Sequence, residues 1–121
     1  MSVRMLLLGL VLALAATTVA GKDAVSIRVS PAVSFAPANL VIQTRIEPDD
    51  NNRAIEVVAN SEEFYRSSTI PLEGERAPRT ATVQFVSLPP GDYEVTAALI
   101  GADGQHRASA RMHVNVIESG R

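Results

Sequence analysis

Leu88-Pro89-Pro90-Gly91-Asp92-Tyr93-Glu94-Val95 is a stiff turn that runs straight into an alternating strand. Pro89 and Pro90 fix φ and remove two backbone donors, and Gly91 can adopt the positive φ that ends a turn. From Tyr93 onward apolar residues recur at every second position: Tyr93, Val95, Ala97 and Leu99 on one face, with Glu94, Thr96, Ala98 and Ile100 on the other. The stretch therefore reads as a corner between two sheets, with Pro90, Gly91 and Tyr93 as its structural residues.

The same alternation extends both ways from this corner. Upstream, Thr80 to Val86 puts Ala81, Val83 and Phe85 on one face. Downstream, Gly101-Ala102-Asp103-Gly104 is a hairpin loop, and Arg107 to Ile117 returns with Ala110, Met112, Val114 and Val116 inward. Asn39 to Glu47 is the clearest strand, with Leu40, Ile42, Thr44 and Ile46 inward. The turn residues Pro48 to Asn52 then lead to Arg53 to Ala59, where Ile55, Val57 and Ala59 face in. Val25, Ile27 and Val29 share a face of a first strand, and Val33 and Phe35 continue that edge beyond the break at Ser30-Pro31. Phe64 to Leu72 reads as an edge strand because of Pro71, and Glu73 to Arg79 as a mobile charged connection.

About seven short strands with regularly spaced turns and no convincing helix predict an all-β fold, a seven-stranded antiparallel Greek-key sandwich. The corner residues Leu88 to Val95 resemble the tyrosine corner of immunoglobulin-like and fibronectin type III-like domains, which implies that the Tyr93 hydroxyl bonds back to upstream backbone. By pattern the resemblance covers most of residues 24–117. The third strand lacks a Trp, and Val95 stands where disulfide-bonded members of the family place a Cys, so the expected type is a bacterial envelope domain and not an antibody domain.

Residues 1–20 have the three-part layout of a signal peptide: Arg4, the apolar run Met5 to Ala16, and small residues before an expected cleavage between Ala20 and Gly21. An uncleaved anchor is the alternative, although a spanning helix needs roughly 20 apolar residues and this run is shorter. No Cys follows it, which removes bacterial lipid attachment. The expected organisation is a signal peptide at 1–20 and one immunoglobulin-like domain at 21–121. The 121-residue chain has no cysteine at all, so an exported fold must be held by its core and its sheets, and this favours the cell envelope, periplasmic or extracellular. A formal charge of −2 without a basic run gives no electrostatic case for nucleic acid or for an anionic membrane.

Catalysis needs an oriented base beside a nucleophile, and a metal needs converging ligands. His106 and His113 lie seven apart and face opposite sides of a regular strand, so they are not expected to share a ligand. Asp49, Asp50 and Asn52 offer oxygens suited to calcium, with Glu62 and Glu63 as further donors if the loops converge, but such residues are equally favoured in ion-free turns. No catalytic residue, cofactor or metal is assigned. Several outward positions are apolar (Val41, Val58, Val86, Ala98 and Ile100), and together they would make a candidate interaction face. The expectation is an exported non-enzymatic module that binds a protein partner or itself and does not insert in a membrane. The alternative is a small-ligand or calcium-binding protein using the end loops.

Overall fold

The computed structural model describes residues 24–119, so the signal peptide expected at 1–20 and its cleavage point lie outside the described residues. Eight strands follow in order: β1 (Val25–Ser30), β2 (Val33–Phe35), β3 (Ala38–Ile46), β4 (Asn52–Asn60), β5 (Tyr65–Pro71), β6 (Thr80–Leu88), β7 (Gly91–Gly101) and β8 (His106–Ile117). They form a three-stranded sheet, β1-β3-β6, and a five-stranded sheet, β2-β8-β7-β4-β5. The two sheets bury one core between them, with Leu40, Ile42 and Phe85 from the first meeting Ile55, Val57, Val95, Leu99 and Val114 from the second. The molecule is a β-sandwich.

Alternation places the core because a strand buried on one face must present every second residue inward. Leu40, Ile42, Thr44 and Ile46 are all buried, and the Thr44 hydroxyl donates to the Ala81 carbonyl at 2.9 Å, so this inward polar group is satisfied. Phe64 to Leu72 is an edge as expected: β5 starts at Tyr65 and pairs with β4. Within the charged connection, Gly74–Arg76 forms one 3-10 turn and Leu72 is buried beside it.

Two expectations need correction. The first strand is not one edge with a break: Ser30-Pro31 separates β1 in one sheet from β2 in the other, which raises the count from seven to eight. Both the Ser30-Pro31 and Ala36-Pro37 bonds are cis. The sandwich is also not wholly antiparallel, since β2 runs parallel to β8, with Val33 opposite Asn115 and Phe35 opposite Ile117. A Pro at each end of this short segment confines it to three residues, because neither ring can donate to a ladder.

Candidate functional site

At one pole the corner closes as the motif implies. The Tyr93 hydroxyl donates to the Pro89 carbonyl at 2.7 Å, and the Tyr93 side chain is completely buried. Phe64 meets its ring edge-on at 6.4 Å between centroids, and the Arg66 guanidinium lies 5.1 Å over Phe64. Burial pushes the Tyr93 phenol above its ordinary 10.0, against weaker opposing pulls from a Ser61 hydrogen bond and the Arg66 charge. Gly91 has φ 158°, and a side chain there would come 3.3 Å from Ser61. Gly91 and Tyr93 thus pack the β6–β7 connection against Ser61 and Phe64 of the loop before β5, with the corner bond falling on Pro89 and not on Pro90.

At the opposite pole stand Asp49, Asp50 and Asn52. Asn52 is fully buried; its amide donates to the Glu47 carbonyl at 3.1 Å and its oxygen accepts from Arg107. The Asp49 carboxylate accepts from the Asn51 backbone N–H at 2.8 Å and from Arg107 at 3.2 Å. The Asp50 carbonyl accepts from Arg53 at 2.6 Å. The Asp49 and Asn52 side-chain oxygens are thus held by the Arg107 guanidinium, and this is the geometry of a clamped turn. Glu62 and Glu63 lie at the other pole, beside Pro90 and Asp92. Among the described residues no group of three or more His, Cys, Asp or Glu is placed to hold a metal ion.

Arg107, which carries this clamp, was not legible as a functional or structural residue, because its partners lie more than fifty positions away. It is also the extra residue of a bulge: Leu99 pairs with Ala108 and Ile100 with His106. The bulge corrects the histidine parity. His106 now shares the outer face with His113, and approaches Glu56 at 3.8 Å, while His113 sits opposite Glu94. The two imidazoles still cannot share a ligand, since their partners on β7 are six residues, or about 20 Å, apart.

The apolar outward positions do not form one surface. Val58, Ala98 and Ile100 lie on the outer face of the five-stranded sheet, with Val58 opposite Thr96 and Glu56 opposite Ala98. Val41 and Val86 lie on the outer face of the other sheet, where Val41 faces Gln84. The prominent exposed apolar cluster is elsewhere: Phe35 is 66% exposed, Val33 58% and Ile117 39%, and all three stand together along β2 and the end of β8. The sequence marks these residues as strand residues, but nothing in it tells which sheet β2 joins.

Away from Val41 and Val86, the outer face of the three-stranded sheet is polar. Ser26, Arg28, Gln43, Arg45, Thr80 and Thr82 line a shallow open depression there. The hydroxyls of Thr44, Ser61 and Ser119 donate to backbone carbonyls.

No protein-family model and no curated protein matches the chain. Among solved structures the fold is similar to a superoxide reductase (neelaredoxin) from Ignicoccus hospitalis, at 14% identity and a TM-score of 0.55, over 84% of this chain and 85% of that one. It is similar to part of a family 76 glycoside hydrolase from a bovine Bacteroides thetaiotaomicron strain, at 19% identity and a TM-score of 0.56, over 80% of this chain and 21% of that one. A third is the CARDB domain of a Pyrococcus furiosus protein, solved in complex with di-metal ions, at 13% identity and a TM-score of 0.50, over 78% of this chain and 92% of that one. At these identities the likeness is one of fold, a β-sandwich shared by proteins of unlike chemistry.

Proposed function

We propose that this chain is an exported, non-enzymatic domain of the immunoglobulin-like, fibronectin type III-like kind that works by association, as a protein-interaction or structural module of the cell envelope. The strand partition supports the family reading. If β1 and β2 are taken as one first strand divided between the sheets, the second and fifth strands join its first half against the third, fourth, sixth and seventh, and Tyr93 opens the sixth at a corner.

The observation that carries association is the cluster of Phe35, Val33 and Ile117. Isolated exposed aliphatics are ordinary, but an aromatic and two branched side chains in register on one sheet margin present a surface that water solvates poorly and a protein partner covers well. A mildly acidic chain without a basic run points the same way, to protein and not to nucleic acid.

A photoreactive residue at Phe35 of the full chain, crosslinked in the host's own envelope fraction, tests this reading. One dominant adduct that disappears with Ile117→Asp, in a protein whose melting is unchanged, is the expected result. Absence of any adduct, or adducts indifferent to Ile117→Asp, would remove the reading.

A further inference from the structure

We propose that the outer edge of β6 is a pairing site for a second copy of this chain, joined antiparallel about a two-fold axis through Thr82, so that two three-stranded sheets become one of six strands. This rests on the reading of the chain as an association module and names a surface for it distinct from the Phe35 cluster.

An edge strand presents a row of unpaired N–H and C=O groups, and folded proteins blunt such rows with charge, proline or short length. The edges of this sandwich can be compared on that basis. β1 carries Arg28, β5 carries Arg66 and ends at Pro71, and the part of β8 that the three residues of β2 leave uncovered carries Arg107 and Arg111. β2 has no charge, but it is three residues long between Pro31 and Pro37. β6 differs from all of them. Its nine residues, Thr80-Ala81-Thr82-Val83-Gln84-Phe85-Val86-Ser87-Leu88, contain no charge, no Pro and no Gly, and among the described residues it pairs with β3 on one side and ends the sheet on the other.

The geometry at either end of β6 sets the length of the free stretch. Arg66 donates to the Val86 carbonyl at 3.1 Å, and Ser87 has φ 60° with its N–H held by Asn39 at 3.0 Å. The chain is therefore capped and turned from Val86 onward, which leaves Thr80 to Phe85 open.

The occupant follows from self-complementarity. A two-fold axis through Thr82 sets Thr82 opposite the second copy's Thr82, and Thr80 opposite its Gln84. These are outward-facing polar pairs that can bond across strands, with no like charges opposed. Self-pairing of β1, β5 or β8 would bring arginines of both copies to the same short junction.

Sedimentation of the full chain, produced from Met1 with the processing its host performs, tests the inference. The expected result is a monomer–dimer equilibrium in the micromolar range and a melting temperature that rises with concentration. Thr82→Lys, an exposed substitution on the outer face, should weaken the dimer by about tenfold or more, because it opposes two like charges at the axis. Ser67→Lys on β5 should leave the dimer intact. Hydrogen exchange supplies a second readout, in which amides of Thr80 to Phe85 slow with concentration and those of β5 do not. A monomer at every concentration, or a dimer that Thr82→Lys leaves unchanged, overturns the proposal. A monomer that still crosslinks a partner through Phe35 overturns β6 pairing alone, and a monomer that crosslinks nothing overturns both readings.

Discussion

Tyr93→Phe removes one oxygen atom from the corner and leaves the ring in place. The phenol is completely buried and its hydroxyl donates to the Pro89 carbonyl at 2.7 Å, so the substitution deletes this bond together with the Ser61 interaction and leaves that carbonyl without its donor. Loss of such a bond with a partner stranded costs about 1.5 kcal/mol. For a domain of this size that is a fall of roughly 6–12 °C in Tm. Urea unfolding followed by circular dichroism should show a lower midpoint with an unchanged slope, since the surface exposed on unfolding is the same. The pH dependence adds a second signature. Burial raises the folded phenol above 10.0, so its contribution is complete below that pH, where both states hold the proton. As the pH rises past this value the unfolded chain ionises first and the wild type loses stability. The Phe variant has no such loss, so the gap between the two proteins should narrow in alkali. A Tm shift smaller than about 2 °C would refute the argument, because Tyr93 would then act by packing alone.

The opposite pole makes further predictions. Asn52→Ala should cost about 1–3 kcal/mol in urea unfolding by deleting the buried side chain's bonds to the Glu47 carbonyl and to Arg107. Asp49→Asn should cost less than about 1 kcal/mol, because that ion pair is solvated. Gly101→Ala would place a methyl 2.8 Å from Arg107 Cδ, so it should destabilise the wild type and do so much less in an Arg107→Ala background, a coupling that a double-mutant cycle reads directly. Thr44→Val, which keeps the shape and removes the bond to Ala81, should cost about 1 kcal/mol. With Asp49 and Asn52 engaged by Arg107, millimolar calcium should leave Tm unchanged.

Local periodicity carried most of the fold. Leu40, Ile42, Ile55, Val57, Val95 and Leu99 could be placed inward from alternation because each strand has one buried face, and Tyr93 because a proline-led corner constrains the residues after it. What alternation cannot encode is which sheet a strand joins. β1 and β2 have the same pattern and part company at Ser30-Pro31, and Val41 and Val58 both read as outward yet lie on opposite sides of the molecule. A bulge is equally silent in sequence. The extra residue Arg107 reversed the parity that separated His106 from His113, and its bonds to Asp49 and Asn52 are fixed by packing between two distant turns. The uncharged composition of β6 is plain in the sequence, but its lack of a second neighbour among the described residues is a property of the sheet order.

The parallel pairing of β2 with β8 has a mechanical consequence. β1 and β8 run in the same direction, so the described chain enters at the pole of Asp49 and leaves at the pole of Tyr93. Tension applied through these two ends pulls along the strands, and the β2–β8 bonds, spread over three successive residue pairs, lie across the line of force. They are loaded in shear and must yield together, whereas a hairpin pulled open from one end gives up its bonds one at a time. A domain strung between two anchored structures would carry such tension in shear through this short ladder together with the β1–β3 ladder that precedes it in the chain.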